Sequence, residues 1–289
     1  MLTYDSVEAL ILAANESKNK ISELVIRDQA EQMDTSEEEI FSKMLDSLIV
    51  MQNAANQGIK ATGKSASGIS GGDANLMHLT NEKKDTISGN TVGSIIEKAL
   101  ALGEWNACMG KIVAMPTAGS CGVFPSVMLT LQEEKGFADE QIVASMFTAA
   151  AIGMIISEKA TLAGALGGCQ AECGSAAAMT AGALVELSGG TPEMVGHAAA
   201  IAIKALLGLV CDPVAGLVEV PCIKRNVSSA MVALSSAEMA LAGIKSFIPV
   251  DEVLSAMDTV GRSIPASLRE TGEGGLAATE TAKNVKLGE

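Results

Sequence analysis

Apolar residues recur at three- to four-residue intervals through the first 57 positions, with Ile40, Met44, Leu48 and Met51 on one helical stripe among acidic residues. This spacing predicts acidic helices whose apolar face packs on the rest of the chain. Thr35-x-x-Glu38 has the form of a capping box and marks a helix start. Over residues 58 to 94 the pattern dissolves into "GIKATGKSASGISGGDANLMHLTNEKKDTISGNTVG", too long and too rich in turn residues for a passive connection. We expect a functional loop region there. From Ser94 onward helical patterns alternate with glycine-rich breaks, "MPTAGSCGVFPS" at 115–126, "GALGGCQAECGS" at 164–175 and "LVCDPVAGLVEVPC" at 209–222. Thr191-Pro192-Glu193 reads as an N-cap followed by proline at the first helical position. Strand-like runs are confined to "KIVAM" and "GLVEVP", without regular βα alternation. The predicted fold class is therefore all-α: an N-terminal helical segment (1–57), one large helical domain (58–280) whose loops converge on one site, and a C-terminal tail (281–289).

Composition changes this picture in two respects. Of 289 residues, 48% are hydrophobic, and a mean hydropathy of +0.32 would suit a membrane protein. The segment Ile142 to Ile156, however, holds 15 uncharged residues before Ser157, Glu158 and Lys159, short of the roughly 18 to 20 a spanning helix needs. These runs read as buried helices rich in Ala, Gly and Met. A formal net charge of −14, with no cluster of basic and aromatic residues, disfavours binding to nucleic acid or to an anionic lipid surface. The opening "MLTYDSVEALILAANESK" lacks the basic start and cleavage site of a secretory signal, so a cytoplasmic, reducing location is expected. A chain of this length needs no disulfide to build its core, so its thiols are expected to be free or bound to metal.

Four of the six cysteines fall in two of the glycine-rich segments. Cys169 and Cys173 share a helical face, and Cys211 and Cys222 lie in turns containing proline and glycine. Their spacing matches no standard metal motif, and it leaves small core side chains, a structural zinc and an iron-sulfur site open as readings. Cys108 and Cys121 are expected to pack in the core. Gly58-Ile59-Lys60-Ala61-Thr62-Gly63-Lys64-Ser65 satisfies the phosphate-loop pattern GxxxxGK[ST]. It follows the polar "QNAANQ" rather than a buried strand, so nucleotide binding is the weaker reading. "SGISGGDA" at 67–74 offers converging backbone N–H groups to a carboxylate or phosphate, if it is more than a flexible loop. Thr117 and Ser120 add hydroxyl donors. His78, in a polar setting, is a candidate general base or an idle surface residue, and His197, on an apolar helix, is expected to be a core residue.

Taken together, "PTAGSCGVFPS", "GGCQAECGSAAAM", "GLVCDPVAGLVEVPCIKRN" and "PASLRETGEGGLAAT" resemble the iron-sulfur-dependent L-serine dehydratases, specifically the α chain of their two-subunit bacterial form. The resemblance covers residues 60 to 280. It implies that 58–280 is a helical catalytic domain carrying a [4Fe-4S] cluster, with no pyridoxal phosphate, that converts L-serine to pyruvate and ammonia in association with a β subunit. Carried over motif by motif, it implies Cys169, Cys211 and Cys222 as cluster ligands and leaves Cys173 as an additional candidate. It also suggests Ser70, Gly71, Gly72, Asp73, Thr117 and Ser120 as substrate contacts, and His78, then Lys64, as the base unless a β-chain histidine serves. The alternatives are a cysteine desulfidase or threonine dehydratase on the same cluster, a P-loop nucleotide-binding protein, and a zinc-structured binding module.

Overall fold

The computed structural model describes residues 3–83 and 86–287. It opens with three helices, α1 (Val7–Ser17), α2 (Ile21–Gln32) and α3 (Glu37–Lys60). Their buried faces, including Leu10, Ile21, Leu48 and Met51, belong to the same hydrophobic core as the later helices. The N-cap of α3 is Ser36, one residue later than the Thr35–Glu38 box predicts. Ser36 Oγ accepts from Glu39 N at 3.2 Å, while Thr35 Oγ1 donates to the Glu39 carboxylate at 2.6 Å. The cap motif thus marks the right turn, but its neighbour makes the cap.

The stretch 58–94 is a loop only in its middle. Helix α3 runs on to Lys60, and α4 (Asp73–Glu82) and α5 (Gly89–Ala107) occupy most of the remainder. Helix α4 buries only Ala74 and leaves Leu76 exposed, so it carries almost no hydrophobic periodicity to read. The phosphate-loop reading fails on the same ground. Gly58, Ile59 and Lys60 form the last turn of α3, not a loop after a strand, and a Cβ on Gly58 would collide with the main-chain carbonyl of Ala101 on α5. Gly58→Ala should therefore force α3 and α5 apart and cost about 2–3 kcal/mol, read as a lower denaturation midpoint.

Beyond α5 come α6 (Val123–Lys135), α7 (Asp139–Lys159), the single turn α8 (Gly164–Gly167), α9 (Ser175–Leu187), α10 (Pro192–Leu206), α11 (Cys222–Leu241), α12 (Val250–Ser263) and the short α13 (Glu280–Lys283). Thr191 caps α10 through its Oγ1, as its sequence predicts. Helix α9 is the axis of the fold, packed against α6, α7, α10 and α11, and every residue from Ser175 to Glu186 is buried. Its small side chains allow this crowding. At Gly182 a Cβ would strike Ile152 of α7. At the other end of α9, the buried Glu186 carboxylate accepts from Ile21 N and Thr148 Oγ1, both at 2.9 Å, and so stitches α2 and α7 to it.

Helix α7, at 21 residues, is long and apolar enough to cross a bilayer, although its uncharged stretch alone is too short. Most of it is instead buried against α2, α3 and α9, which accounts for its composition. Among the described residues there is no strand. "KIVAM" is an extended connection and "GLVEVP" a 3-10 turn and bend, and one parallel bridge joins Cys211 to Arg269.

Candidate active site

The fold gathers the glycine-rich breaks at one end of α9 and α11. Cys169 precedes a π-helical turn, Gln170–Gly174, that leads into α9. Such turns present side chains that a regular helix would turn away. Gln170 fixes this turn on three sides: its N–H donates to Leu209 O at 3.0 Å, its Nε2 to Met257 O at 2.8 Å, and its Oε1 accepts from Gly208 N at 2.9 Å. Cys211 is held by the late "PASLRETG" motif, donating its N–H to Leu268 O at 2.9 Å and accepting from Glu270 N at 2.7 Å. Arg269 Nη1 donates onward to Leu166 O at 3.2 Å. Cys222 is the first residue of α11 rather than part of a free turn.

Cys169, Cys173 and Cys211 form one buried thiol group, with Cys222 half-buried beside them. The Cys173 hydrogen bond holds the Cys169 thiol below the usual cysteine range against the cost of burial, with help from Arg225, while the same bond and full burial push Cys173 up. Burial, with the nearby Glu172 and Cys169, raises Cys211. Burial, with Cys169 and Glu172, raises Cys222 to about 12. Cys169, Cys211 and Cys222 are thus near enough to feel one another's charge, and any metal bound at Cys211 and Cys222 would have to displace protons. Cys121 is buried apart from them, its thiol facing Leu102 O at 3.7 Å and pushed up to about 12 by burial. Cys108 does not pack in the core; it is exposed at the end of α5.

Five polar residues organise this centre, and the sequence reading passed over four of them, Glu172, Glu219, Arg225 and Asn226. Glu172, half-buried and pushed up by desolvation, accepts from Thr117 Oγ1 at 2.9 Å and lies 3.9 Å from Cys211 Sγ. Gly164 makes room for it, since a Cβ there would sit 2.7 Å from Glu172 Oε2 and 3.1 Å from Cys211 Sγ. Arg225 pairs with buried Asp212 at 2.8 Å and donates to Val210 O at 2.8 Å, bracketing Cys211 from both sides. Asn226, fully buried, donates to Gly119 O at 2.7 Å and Cys222 O at 2.9 Å and accepts from Gly122 N at 2.8 Å, tying "PTAGSCG" to the start of α11. Glu219 accepts from the hydroxyls of Ser65, Ser67 and Ser70. For Glu172, Asp212 and Glu219 the signal is a carboxylate inside a glycine-containing, largely apolar motif.

The expected substrate contacts divide. Thr117 and Ser120 hydrogen-bond each other at 3.1 Å beside Glu172, next to the cysteines. Ser70 and Gly71 lie in the loop docked on Glu219, with Lys64 Nζ donating to Gly71 O at 2.8 Å. The N–H groups of Gly72 and Asp73 are not free. With Ala74 N they donate to the buried Glu104 carboxylate, at 3.2, 2.8 and 3.3 Å, capping α4 from within the protein. The Asp73 side chain pairs with Lys224. His78 sits on α4, not in a loop, with Nδ1 3.0 Å from Glu97 Oε1 and Nε2 3.7 Å from Glu82. None of its polar partners is a cysteine. His197 is only half-buried, beside a cleft between α1 and α10.

No three His, Cys, Asp or Glu side chains among the described residues are arranged to hold a single metal ion. A four-iron cluster makes a different demand, for thiolates around a volume rather than a point, and the buried sulfurs of Cys169, Cys173 and Cys211 are soft donors of the type it takes.

The sequence also matches known proteins along most of its length. A family model described as the serine dehydratase alpha chain matches residues 16–277. The probable L-serine dehydratase alpha chain of Bacillus subtilis is 45% identical over 98% of this chain and 94% of its own length. The L-serine dehydratase alpha chain of Peptoniphilus asaccharolyticus is 43% identical over 98% and 97%. The L-serine dehydratase of Streptomyces coelicolor is 36% identical over 93% of this chain but only 60% of its own length. With matches that span nearly the whole sequence and take in every motif of the site, this chain belongs to the serine dehydratase alpha chain family.

Proposed function

We propose that this chain is the catalytic α chain of an L-serine dehydratase that removes water and then ammonia from L-serine to give pyruvate. One observation supports the proposal: Cys169 and Cys211, brought together from two glycine-rich segments, are buried in one group, with Glu172 hydrogen-bonded to Thr117 and 3.9 Å from Cys211 Sγ, and with Cys222 half-buried nearby. These three cysteines would hold a [4Fe-4S] cluster, which, with one iron lacking a cysteine, supplies a Lewis acid for the departing hydroxyl.

The chain's own residues have two further tasks. Thr117 and Ser120, with the loop at Ser70 and Gly71, would orient the substrate carboxylate and ammonium, so that reaction starts from one geometry. A base must take the Cα proton as the Cβ–O bond breaks, which releases water and leaves aminoacrylate. That product tautomerises to the imine, and water hydrolyses it to pyruvate and ammonia. His78 is the candidate base within this chain: with Nδ1 donating to Glu97, the lone pair is on Nε2. Lys64 is the weaker candidate, because its ammonium already donates to Gly71 O.

The longer single-chain relative and the "alpha chain" names support a separate β chain as the working partner. The cluster chemistry calls for a reducing, cytoplasmic setting. Protein prepared without oxygen is expected to contain about four iron and four acid-labile sulfide per chain. With its β chain it should form pyruvate from L-serine, ahead of L-threonine or L-cysteine. Zinc, or no metal after anaerobic reconstitution, would overturn the proposal.

A further inference from the structure

Glu219 lies in "GLVEVPC", three residues before Cys222, and is 6% exposed. Its carboxylate accepts from Ser65 Oγ at 2.7 Å, from Ser67 Oγ at 2.9 and 3.0 Å, and from Ser70 Oγ. Among the described residues no lysine, arginine or histidine forms an ion pair with it. A buried carboxylate without a cation is costly unless hydroxyl or N–H donors surround it. Here every side-chain donor comes from one six-residue turn.

Both ends of this contact are rigid. Glu219 is mounted on a turn closed by Val214 N to Val220 O and Glu219 N to Leu217 O, both 2.8 Å, and Ile223 N to Glu219 O at 3.0 Å carries that turn into α11. The serine turn is closed by Ser65 N to Ser70 O at 3.0 Å, Gly68 N to Ser65 O at 2.9 Å and Ile69 N to Ser67 Oγ at 3.1 Å. One carboxylate therefore sets the register between the glycine-rich loop and the segment that presents Cys222.

We propose that Glu219 is a positioning residue that locks the Ser65–Ser70 turn against the Cys222 segment and so places the loop's substrate contacts beside the metal centre. This rests on the dehydratase reading of Cys222 and the loop. It makes Glu219 act through Ser70 and Gly71 rather than on the reacting atoms.

The test uses the full chain, loaded with iron and combined with its β chain, as wild type, Glu219→Ala and Glu219→Gln. Glu219→Ala should keep its iron and visible absorption, raise the KM for L-serine about tenfold or more, and change kcat less. Glu219→Gln, which retains one carbonyl acceptor of the same reach, should stay within about threefold of wild-type KM. In the chain alone, amide hydrogen exchange at residues 65–70 should quicken about tenfold in the alanine variant. Unchanged exchange, unchanged KM, or iron loss in Glu219→Ala would each overturn the proposal. If the wild type holds iron but has no serine turnover, the dehydratase reading fails by itself, and the exchange comparison still decides whether Glu219 locks the turn.

Discussion

Cys169→Ala, Cys211→Ala and Cys222→Ala should each abolish iron binding and serine turnover, whereas Cys108→Ala and Cys121→Ala should retain both. A bound metal contributes several kcal/mol to stabilising a leaving oxygen, so its loss should lower kcat/KM by three powers of ten or more. The controls are chosen by position: Cys108 is exposed at the end of α5, and Cys121 faces the Leu102 carbonyl. Cys121→Ala removes one buried sulfur and should cost about 1–2 kcal/mol of stability without touching the thiol group. Iron and sulfide analysis with pyruvate assay on each variant decides the matter. Retention of iron by all three ligand variants would show that the buried thiols are packing residues.

Arg225→Ala is expected to be the most destabilising single change around the site. The guanidinium pairs with Asp212, whose side chain is 4% exposed, donates to Val210 O, and lies against Cys169. Truncation strands a buried carboxylate whose remaining donor is Leu276 N at 2.8 Å. Breaking a buried pair in this way costs about 3–5 kcal/mol, which corresponds to a fall in Tm on the order of 5–10 °C. Arg225→Lys should recover only part, because a single ammonium cannot span Asp212, Val210 O and Cys169 together. Replacing both partners, Arg225→Met with Asp212→Leu, should be milder than Arg225→Ala alone, since no unpaired charge remains. Thermal and urea unfolding of the four proteins measures this directly, and a loss under about 1 kcal/mol for Arg225→Ala would contradict it.

The all-α architecture was legible because the long helices are amphipathic or wholly apolar, and Thr191-Pro192 sits where α10 begins. Helix α4 was not, since it buries one alanine and owes its start to Glu104, 31 residues from Asp73. No local pattern can announce a cap delivered from another helix. Cys169, Cys211 and Cys222 were singled out through motifs, because their spacing alone left three chemistries open. Glu172, Glu219, Arg225 and Asn226 stayed hidden because each acts by a contact across many residues of chain, such as Asn226 with Gly119. The expectation for Cys108 misled for a simpler reason. It follows an apolar helix, but the helix ends at Ala107 and releases it to solvent.

The bridge between Cys211 and the "PASLRETG" motif, with the bond from Leu276 N to Asp212, fixes an order of events in the making of this protein. A growing chain that has exposed Cys169, Cys211 and Cys222 from the ribosome still lacks the residues that hold Cys211 in place. Those arrive more than 45 positions after the last of the three cysteines. Until then the thiols are an open, oxidisable set without a shape. On the proposed reading, cluster insertion follows translation of this motif, and cells that expose the chain to oxygen during synthesis should accumulate folded protein without iron.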